Sequence, residues 1–240
     1  MVASPFSKHT LKFSCQHCSV RQLCFPVGLS PEELSLLDAL ISQQKIVKRN
    51  EQLFKQGDKF NGFCVVRSGA FKYVHSTPGQ ENHIIAFYLP GEFFGLDAVH
   101  NEKHPATAQA LIDSSVCVIA FDELMKMSSK IPTLQRYLMD IVSKRCSNDL
   151  QRPTQHHTAE QRLAIFLLDL SKHYGERGYS AHEFQLPMSR KDIADYLDLA
   201  SETVSRLFKN FQDKKRIKTE GKLIKIIELK ALQQLIESAI

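Results

Sequence analysis

Three cysteines crowd one short segment near the amino terminus, Cys15, Cys18 and Cys24, in the order C-x2-C-x5-C. The chain begins Met-Val-Ala-Ser-Pro-Phe-Ser-Lys-His-Thr, without the apolar core of a secretory signal. Its six cysteines are therefore expected to be reduced thiols in a cytoplasm rather than a disulfide framework. Three thiolates converging from one loop make an incomplete coordination sphere, and a fourth ligand must come from elsewhere. Soft sulfur donors select zinc, copper(I) or an iron–sulfur cluster. A Cys3His zinc site through His17 is the weaker alternative, because His17 lies between Cys15 and Cys18 and its neighbours already compete for the same centre.

The second chemistry-bearing group is basic. A net charge of +5 is too small to identify a partner, and from residue 158 onward 14 Lys and Arg stand against 12 Asp and Glu. Within residues 205–225, however, Arg206, Lys209, Lys214, Lys215, Arg216, Lys218, Lys222 and Lys225 meet only Asp213 and Glu220. Most such runs are solvated faces, but this one coincides with a pair of short helices. No nucleophile elbow, phosphate-binding glycine loop or zinc-protease helix occurs, which argues against an enzyme. No run approaches the length of a membrane span.

The elements that must position these groups are legible from pattern. Ser30-Pro31-Glu32-Glu33 reads as a capping box that opens a helix with Leu34, Leu37, Leu40 and Ile41 on one side. From about Ile46 to Phe121, short apolar runs such as Phe63–Val66, Ile84–Leu89 and Val116–Phe121 alternate with turns at Gly57-Asp58, Asn61-Gly62, Ser68-Gly69, Pro78-Gly79 and Pro90-Gly91. Many short, evenly spaced strands predict a double-sheet roll. Helical spacing returns at Ile131-Pro132, with Leu134, Tyr137, Leu138, Ile141, Val142 and Arg145 recurring three and four apart. One long apolar seam needs a partner, and a second copy is the expected one.

Beyond Pro153 a helix over Glu160–His173 is followed by a capped helix at Ser189–Leu197. A turn at Asp198–Ala200 leads to a third, Ser201–Phe211, with Val204, Leu207, Phe208 and Phe211 inward. Two short helices joined in this way have helix-turn-helix geometry. Ile217–Ile227 alternates around Glu220-Gly221-Lys222 and predicts a hairpin, the wing. The fold class expected is α+β: an N-terminal β-roll of the cyclic-nucleotide-binding type, a long dimerisation helix and a C-terminal winged helix-turn-helix. The divisions fall at 1–29, 30–130, 131–153 and 154–240.

This order of parts resembles the Crp–Fnr superfamily of bacterial transcription regulators over essentially the whole chain, and within it the oxygen-responsive Fnr branch. The resemblance rests on the Cys15–Cys24 loop, on Cys117 within Ser114-Ser115-Val116-Cys117-Val118-Ile119, and on Ser201-Glu202-Thr203-Val204-Ser205-Arg206. It implies that Cys15, Cys18, Cys24 and Cys117 hold a [4Fe–4S] cluster; Cys64 and Cys146 are left over, and their apolar settings predict buried structural thiols. It also implies a homodimer that binds double-stranded DNA with the cluster intact and works with RNA polymerase. Leu134, Leu138, Ile141 and Arg145 are then the dimer interface.

On the reading helix, Glu202, Ser205, Arg206 and Lys209 remain for the groove. Arginine gives the commonest specific contact to guanine, and Glu202 can accept from cytosine or adenine amino groups. Together with Ser201, where the cyclic-nucleotide branch has arginine, this set matches the family's readers of TTGAT-N4-ATCAA palindromes. Lys214 and Lys222 are candidates for phosphate. Cyclic nucleotide is not expected as a ligand. That branch's phosphate-binding Arg-Ser-Ala is absent, the stretch reads His104-Pro105-Ala106-Thr107, and Leu96 replaces a carboxylate. Two further departures are Pro153, which should end or kink the long helix, and Asp198, which stands where the family's turn usually holds glycine. Aspartate tolerates a left-handed backbone better than most residues.

Overall fold

A computed structural model describes residues 18, 20–24, 30–79, 81–150 and 157–237. Cys15 and Pro153 lie outside them. The one-turn helix α1 (Arg21–Cys24) precedes α2 (Pro31–Leu40). Eight strands follow: β1 (Ile41–Val47), β2 (Gln52–Phe54), β3 (Gly62–Ser68), β4 (Phe71–His75), β5 (His83–Tyr88), β6 (Phe93–Phe94), β7 (Thr107–Ala110) and β8 (Ser114–Ala120). They make two four-stranded antiparallel sheets, ordered β1-β8-β3-β6 and β2-β7-β4-β5, which face each other as the expected roll. Then come α3 (Phe121–Ser128) and the long α4 (Pro132–Leu150). Among the described residues no helix is long and apolar enough to cross a membrane.

The carboxy-terminal part contains α5 (Ala159–Glu176), β9 (Glu183–Gln185), α6 (Arg190–Leu197), α7 (Ser201–Asp213), β10 (Ile217–Glu220), β11 (Leu223–Ile226) and α8 (Leu229–Glu237). This is the expected winged helix-turn-helix. The wing strands pair antiparallel from Ile217 opposite Ile226 to Glu220 opposite Leu223, and β9 adds a third strand beside β11.

Local chemistry explains the boundaries. In α2 the Ser30 hydroxyl accepts from the Glu33 amide at 3.1 Å while the Glu33 carboxylate accepts from the Ser30 amide at 2.8 Å. Thr158 and Gln161 repeat the device at α5, and Ser189 and Asp192 at α6. Three elements were not apparent in the sequence. The helix α3 follows β8 without a turn and has Ala120 as an N-cap with no side-chain bond, so Val116–Phe121 reads as strand alone. The other two, α1 and β9, are four and three residues long, too short for periodicity to register.

The roll's interior is aromatic. Phe71, Tyr73, Tyr88 and Phe94 are buried around Ala106, Ala108 and Val116. His104 lies among them, 5% exposed and stacked on Phe54 at 3.6 Å with the edge of Phe60 beside it. Burial holds His104 below the ordinary histidine range, against a weaker pull from Asp58, and its Nδ1 has no hydrogen-bond partner.

A neutral histidine in the fold and a titrating one in the unfolded chain make stability depend on pH. The His104 contribution is full above about pH 6.5, the unfolded value, and is lost as pH falls toward its depressed folded value. His104→Phe keeps the stacking and removes the proton site. The drop in urea midpoint between pH 7.5 and 5.5 should therefore be smaller in His104→Phe than in the wild type. Equal drops in both would show that His104 carries no acid sensitivity.

Candidate functional site

Strand alternation positions the distant cysteine. On β8, Val116 is fully buried in the roll, so its neighbour Cys117 points to the opposite face, half-buried. That face is where the arm packs. Val20 and Cys24 are buried in one apolar cluster with Leu37, Leu40, Phe60, Phe63, Leu124, Ile131 and Leu134, and Cys18 and Leu23 pack against its edge. The Tyr137 hydroxyl on α4 donates to the Leu23 carbonyl at 2.7 Å and fastens the last turn of the arm.

Three of the four predicted ligands come together here. Burial first, then Cys18 and Cys117, push the Cys24 thiol up to about 12, while the Arg177 guanidinium opposes them. Cys117 is raised by burial and then by Cys18, with Arg67 opposing. Burial and the neighbouring thiols thus favour the protonated form of Cys24 and Cys117. Among the described residues no three of His, Cys, Asp and Glu form a set that could hold a single metal ion. Cys64 is buried in the roll, and burial raises it to about 12. Cys146, expected to be buried, is instead exposed on α4.

The exposure of Cys146 is part of a larger correction. Leu134 is buried inside its own chain, Leu138 packs against the same cluster, and the Arg145 guanidinium lies 5.6 Å from the centre of the Tyr88 ring of its own roll. Ile141 is half-buried. Of the four residues expected at the interface, Leu134, Leu138 and Arg145 therefore contact their own domain, whereas Val142 of the same apolar stripe is exposed. Among the described side chains of α4, the exposed apolar positions are Met139 and Val142, and Cys146 continues them at heptad spacing. A helix with one seam for its own domain and one for a partner shows apolar periodicity at both, and spacing alone does not separate them.

The helix-turn-helix is braced by arginines that pattern reading missed. Asp198 ends α6 in the left-handed conformation, at φ 54° and ψ 53°, as the aspartate-for-glycine exchange requires. Arg162 of α5 donates from Nη1 to the Leu197 and Asp198 carbonyls at 3.0 and 3.2 Å, and from Nε to the His157 carbonyl. Arg190 stacks over the Phe208 ring of α7 at 3.3 Å and is lowered to about 10 by burial. No local signal marks either arginine, because the Leu197 and Asp198 carbonyls and the Phe208 ring come from other elements.

With Val204, Phe208 and Phe211 buried, α7 turns Glu202, Ser205, Arg206 and Lys209 outward, and Ser201 is half-buried at its start. The Ser205 hydroxyl donates to the Ser201 carbonyl at 2.9 Å and must rotate to touch a base. The two phosphate candidates are engaged elsewhere. Lys222 donates to the Pro187 carbonyl at 3.0 Å, and Lys214 lies 3.5 Å from Glu160. On the wing, Lys218 pairs with Glu220 and Lys225 with Glu183 in exposed pairs of little energetic weight.

Comparison with known proteins finds two domain families in the chain. Residues 44–130 match the cyclic nucleotide-binding domain family and residues 161–235 the Crp-like helix-turn-helix domain family. The transcriptional activator protein FnrA of Stutzerimonas stutzeri is 42% identical over 216 residues, 89% of this chain and 88% of that one. The anaerobic regulatory protein of Pasteurella multocida is 42% identical over 224 residues, 92% of this chain and 82% of that one. Among solved structures, FixK2 from Bradyrhizobium japonicum superposes with a TM-score of 0.72 at 28% identity, covering 80% of this chain and 96% of that one.

Arg162→Met should remove the brace on the turn while keeping the apolar stem. Charge-assisted bonds of this kind contribute about 2 kcal/mol, so the urea midpoint of the carboxy-terminal part, followed by circular dichroism, should fall clearly. An unchanged midpoint would mean that the Asp198 turn is self-supporting.

Proposed function

Because the chain belongs to the Fnr branch of the Crp–Fnr superfamily of transcription regulators, we propose that it is a homodimeric DNA-binding regulator sensing oxygen through a [4Fe–4S] cluster. Cys15, Cys18, Cys24 and Cys117 are the proposed ligands. The carrying observation is that Cys18, Cys24 and Cys117 lie within electrostatic reach of one another although they are 93 residues apart at the widest described loop, from 24 to 117. The donor set fits the group. It is all sulfur, the donor type by which iron–sulfur clusters are held. Bound there, the cluster supplies an oxygen-labile charge centre that keeps the thiolates deprotonated and the arm in place. The name of the Pasteurella relative, an anaerobic regulatory protein, points the same way.

In this reading residues 1–29 form the cluster arm, 30–130 the sensor roll, 131–153 the pairing helix and 154–240 the DNA reader of a cytoplasmic protein. Pairing runs along Met139, Val142 and Cys146. The roll takes no cyclic nucleotide: its interior is filled by Phe54, Phe71, Tyr73, Tyr88 and Phe94, and the neutral, stacked His104 offers no cation to a phosphate. Glu202, Ser205 and Arg206, with Ser201 and Lys209 beside them, read TTGAT-N4-ATCAA palindromes from two adjacent major grooves. RNA polymerase is the further partner.

Anaerobically purified protein should carry about four iron and four sulfide per chain, with absorbance in the 420 nm region that air removes. Serine at position 15, 18, 24 or 117 should abolish it, and serine at 64 or 146 should not. Stoichiometric zinc, or a full complement of iron in Cys117→Ser, would defeat the assignment.

On DNA, Arg206→Ala should cost about 1–3 kcal/mol on the palindrome and relax the preference at its guanine. Footprints of wild type and variant on specific and random duplexes decide it, since an equal loss on both would make Arg206 a phosphate clamp.

A further inference from the structure

The turn Pro90-Gly91-Glu92, between β5 and β6, touches the cysteine arm on one side and the DNA-reading domain on the other. On the arm side, Gly91 has φ +88°, and a Cβ there would come within 2.6 Å of the Leu23 Cβ and 2.8 Å of its Cδ1. The backbone of the turn is thus the seat on which Leu23 rests, one residue before the ligand Cys24. On the other side, Glu92 Oε1 lies 2.9 Å from His173 Nδ1 and 3.7 Å from Arg177 Nη2, both from the end of α5. Arg177 Nε donates to the Pro90 carbonyl, and Nη1 donates to the His173 carbonyl at 2.6 Å. The turn is rooted in β3 through Gly91 N to the Val66 carbonyl at 2.7 Å and Val66 N to the Glu92 carbonyl at 3.1 Å.

We propose that this turn is a coupling joint, with Glu92 and Arg177 as its positioning residues, through which order in the cysteine arm strengthens the docking of the DNA-reading domain in addition to any effect on pairing. The Arg177 side chain is only 6% exposed and lies at the far end of α5 from the reading helix, so phosphate binding does not explain it. A buried guanidinium is costly unless it is fully engaged, and its bonds strengthen as water is excluded. Arg177 also stands close enough to Cys24 for its charge to bear on that thiol. With Leu23 seated on Gly91, the joint is covered. With the arm lifted, the Pro90 carbonyl and the Glu92–Arg177 pair become hydrated and weaken. Coupling of this kind is reciprocal, so docking of α5 also favours the ordered arm.

The trigger rests on the proposed cluster, whereas the contacts do not, and hydrogen exchange read by mass spectrometry separates the two. In wild-type protein, air exposure should speed exchange at 18–24 and, by about tenfold, at 170–177. Glu92→Gln should keep its iron and its 420 nm-region absorbance, yet exchange fast at 170–177 in both states. A merely structural Glu92 would raise exchange equally in both and keep the difference, which would overturn the joint.

Val142→Glu, which blocks pairing through α4, should retain the wild-type difference. Its loss there would assign the effect to pairing and overturn the proposal. If 18–24 responds to air and 170–177 does not, the joint falls and the cluster stands. If no iron binds, the cluster reading falls, and the joint is judged on Leu23→Ala, which should speed exchange at 170–177, unchanged exchange overturning it.

Discussion

Thiols brought together from the amino-terminal arm and from β8 repel one another once deprotonated. Burying three of them at one place is unfavourable twice over, through desolvation and through like charge. The arrangement exists because Val20, Leu23 and Cys24 borrow a core made by other elements. The α2 capping box aims Leu37 and Leu40 at that core, β3 and the loop before it supply Phe63 and Phe60, and α3 and α4 close it with Leu124, Ile131 and Leu134. The alternation of β8 then turns Cys117 outward to meet the arm while Val116 fills the roll. The proposed cluster would convert this least favourable feature of the fold into a cross-link between arm and roll.

The same economy governs the basic residues of the carboxy-terminal domain. Arg162, Arg190, Arg216, Lys214 and Lys222 are engaged within the domain, on carbonyls, an aromatic ring or Glu160. In the run at 205–225 that leaves Arg206 and Lys209 on α7, with Lys215 just beyond its end, as exposed cations outside these contacts and the wing pairs of Lys218 and Lys225. A modest net charge is consistent with this division, because most of the local positive charge serves to shape the helix-turn-helix and its wing. The sequence run at 205–225 therefore overstates the electrostatic footprint that DNA would meet.

What could be read from sequence follows from which signals are local. Capping boxes at Ser30 and Ser189, the Asp198 turn and the wing hairpin at Gly221 depend on residues within a few positions of one another, and each is where the pattern places it. The inward set of α7 obeys a single helical period and was equally legible. The pairing face proposed for α4 was not, because that helix has two apolar seams and the stronger one, through Leu134 and Leu138, packs on its own domain. Nor could pattern reveal Arg162, Arg177 or Arg190, whose roles are set by carbonyls and rings contributed by distant segments. The meeting of Cys18, Cys24 and Cys117 is long-range too, and was accessible only through resemblance to a family.

The roll and the DNA-reading domain meet through elements that each serve their own domain as well. Ala70, Leu89 and Leu111 of the roll belong to the same apolar cluster as the core around Leu163, Leu167 and Phe208. Asp192 completes the α6 capping box through Oδ2 and holds Lys72 of β4 at 2.8 Å through Oδ1. Asp195, one turn on, accepts from the Ile84 amide at 3.1 Å and lies 2.8 Å from His83. Burial would raise Asp192, but Lys72 and Ser189 together hold it below the usual carboxylate range. Its contribution is present above the unfolded carboxylate value and is lost as pH falls through the depressed one. The first helix of the helix-turn-helix is therefore capped by a group that is also an interdomain contact. Loosening the docking then weakens the start of α6, on which the Arg190–Phe208 stack and the orientation of the reading helix rest.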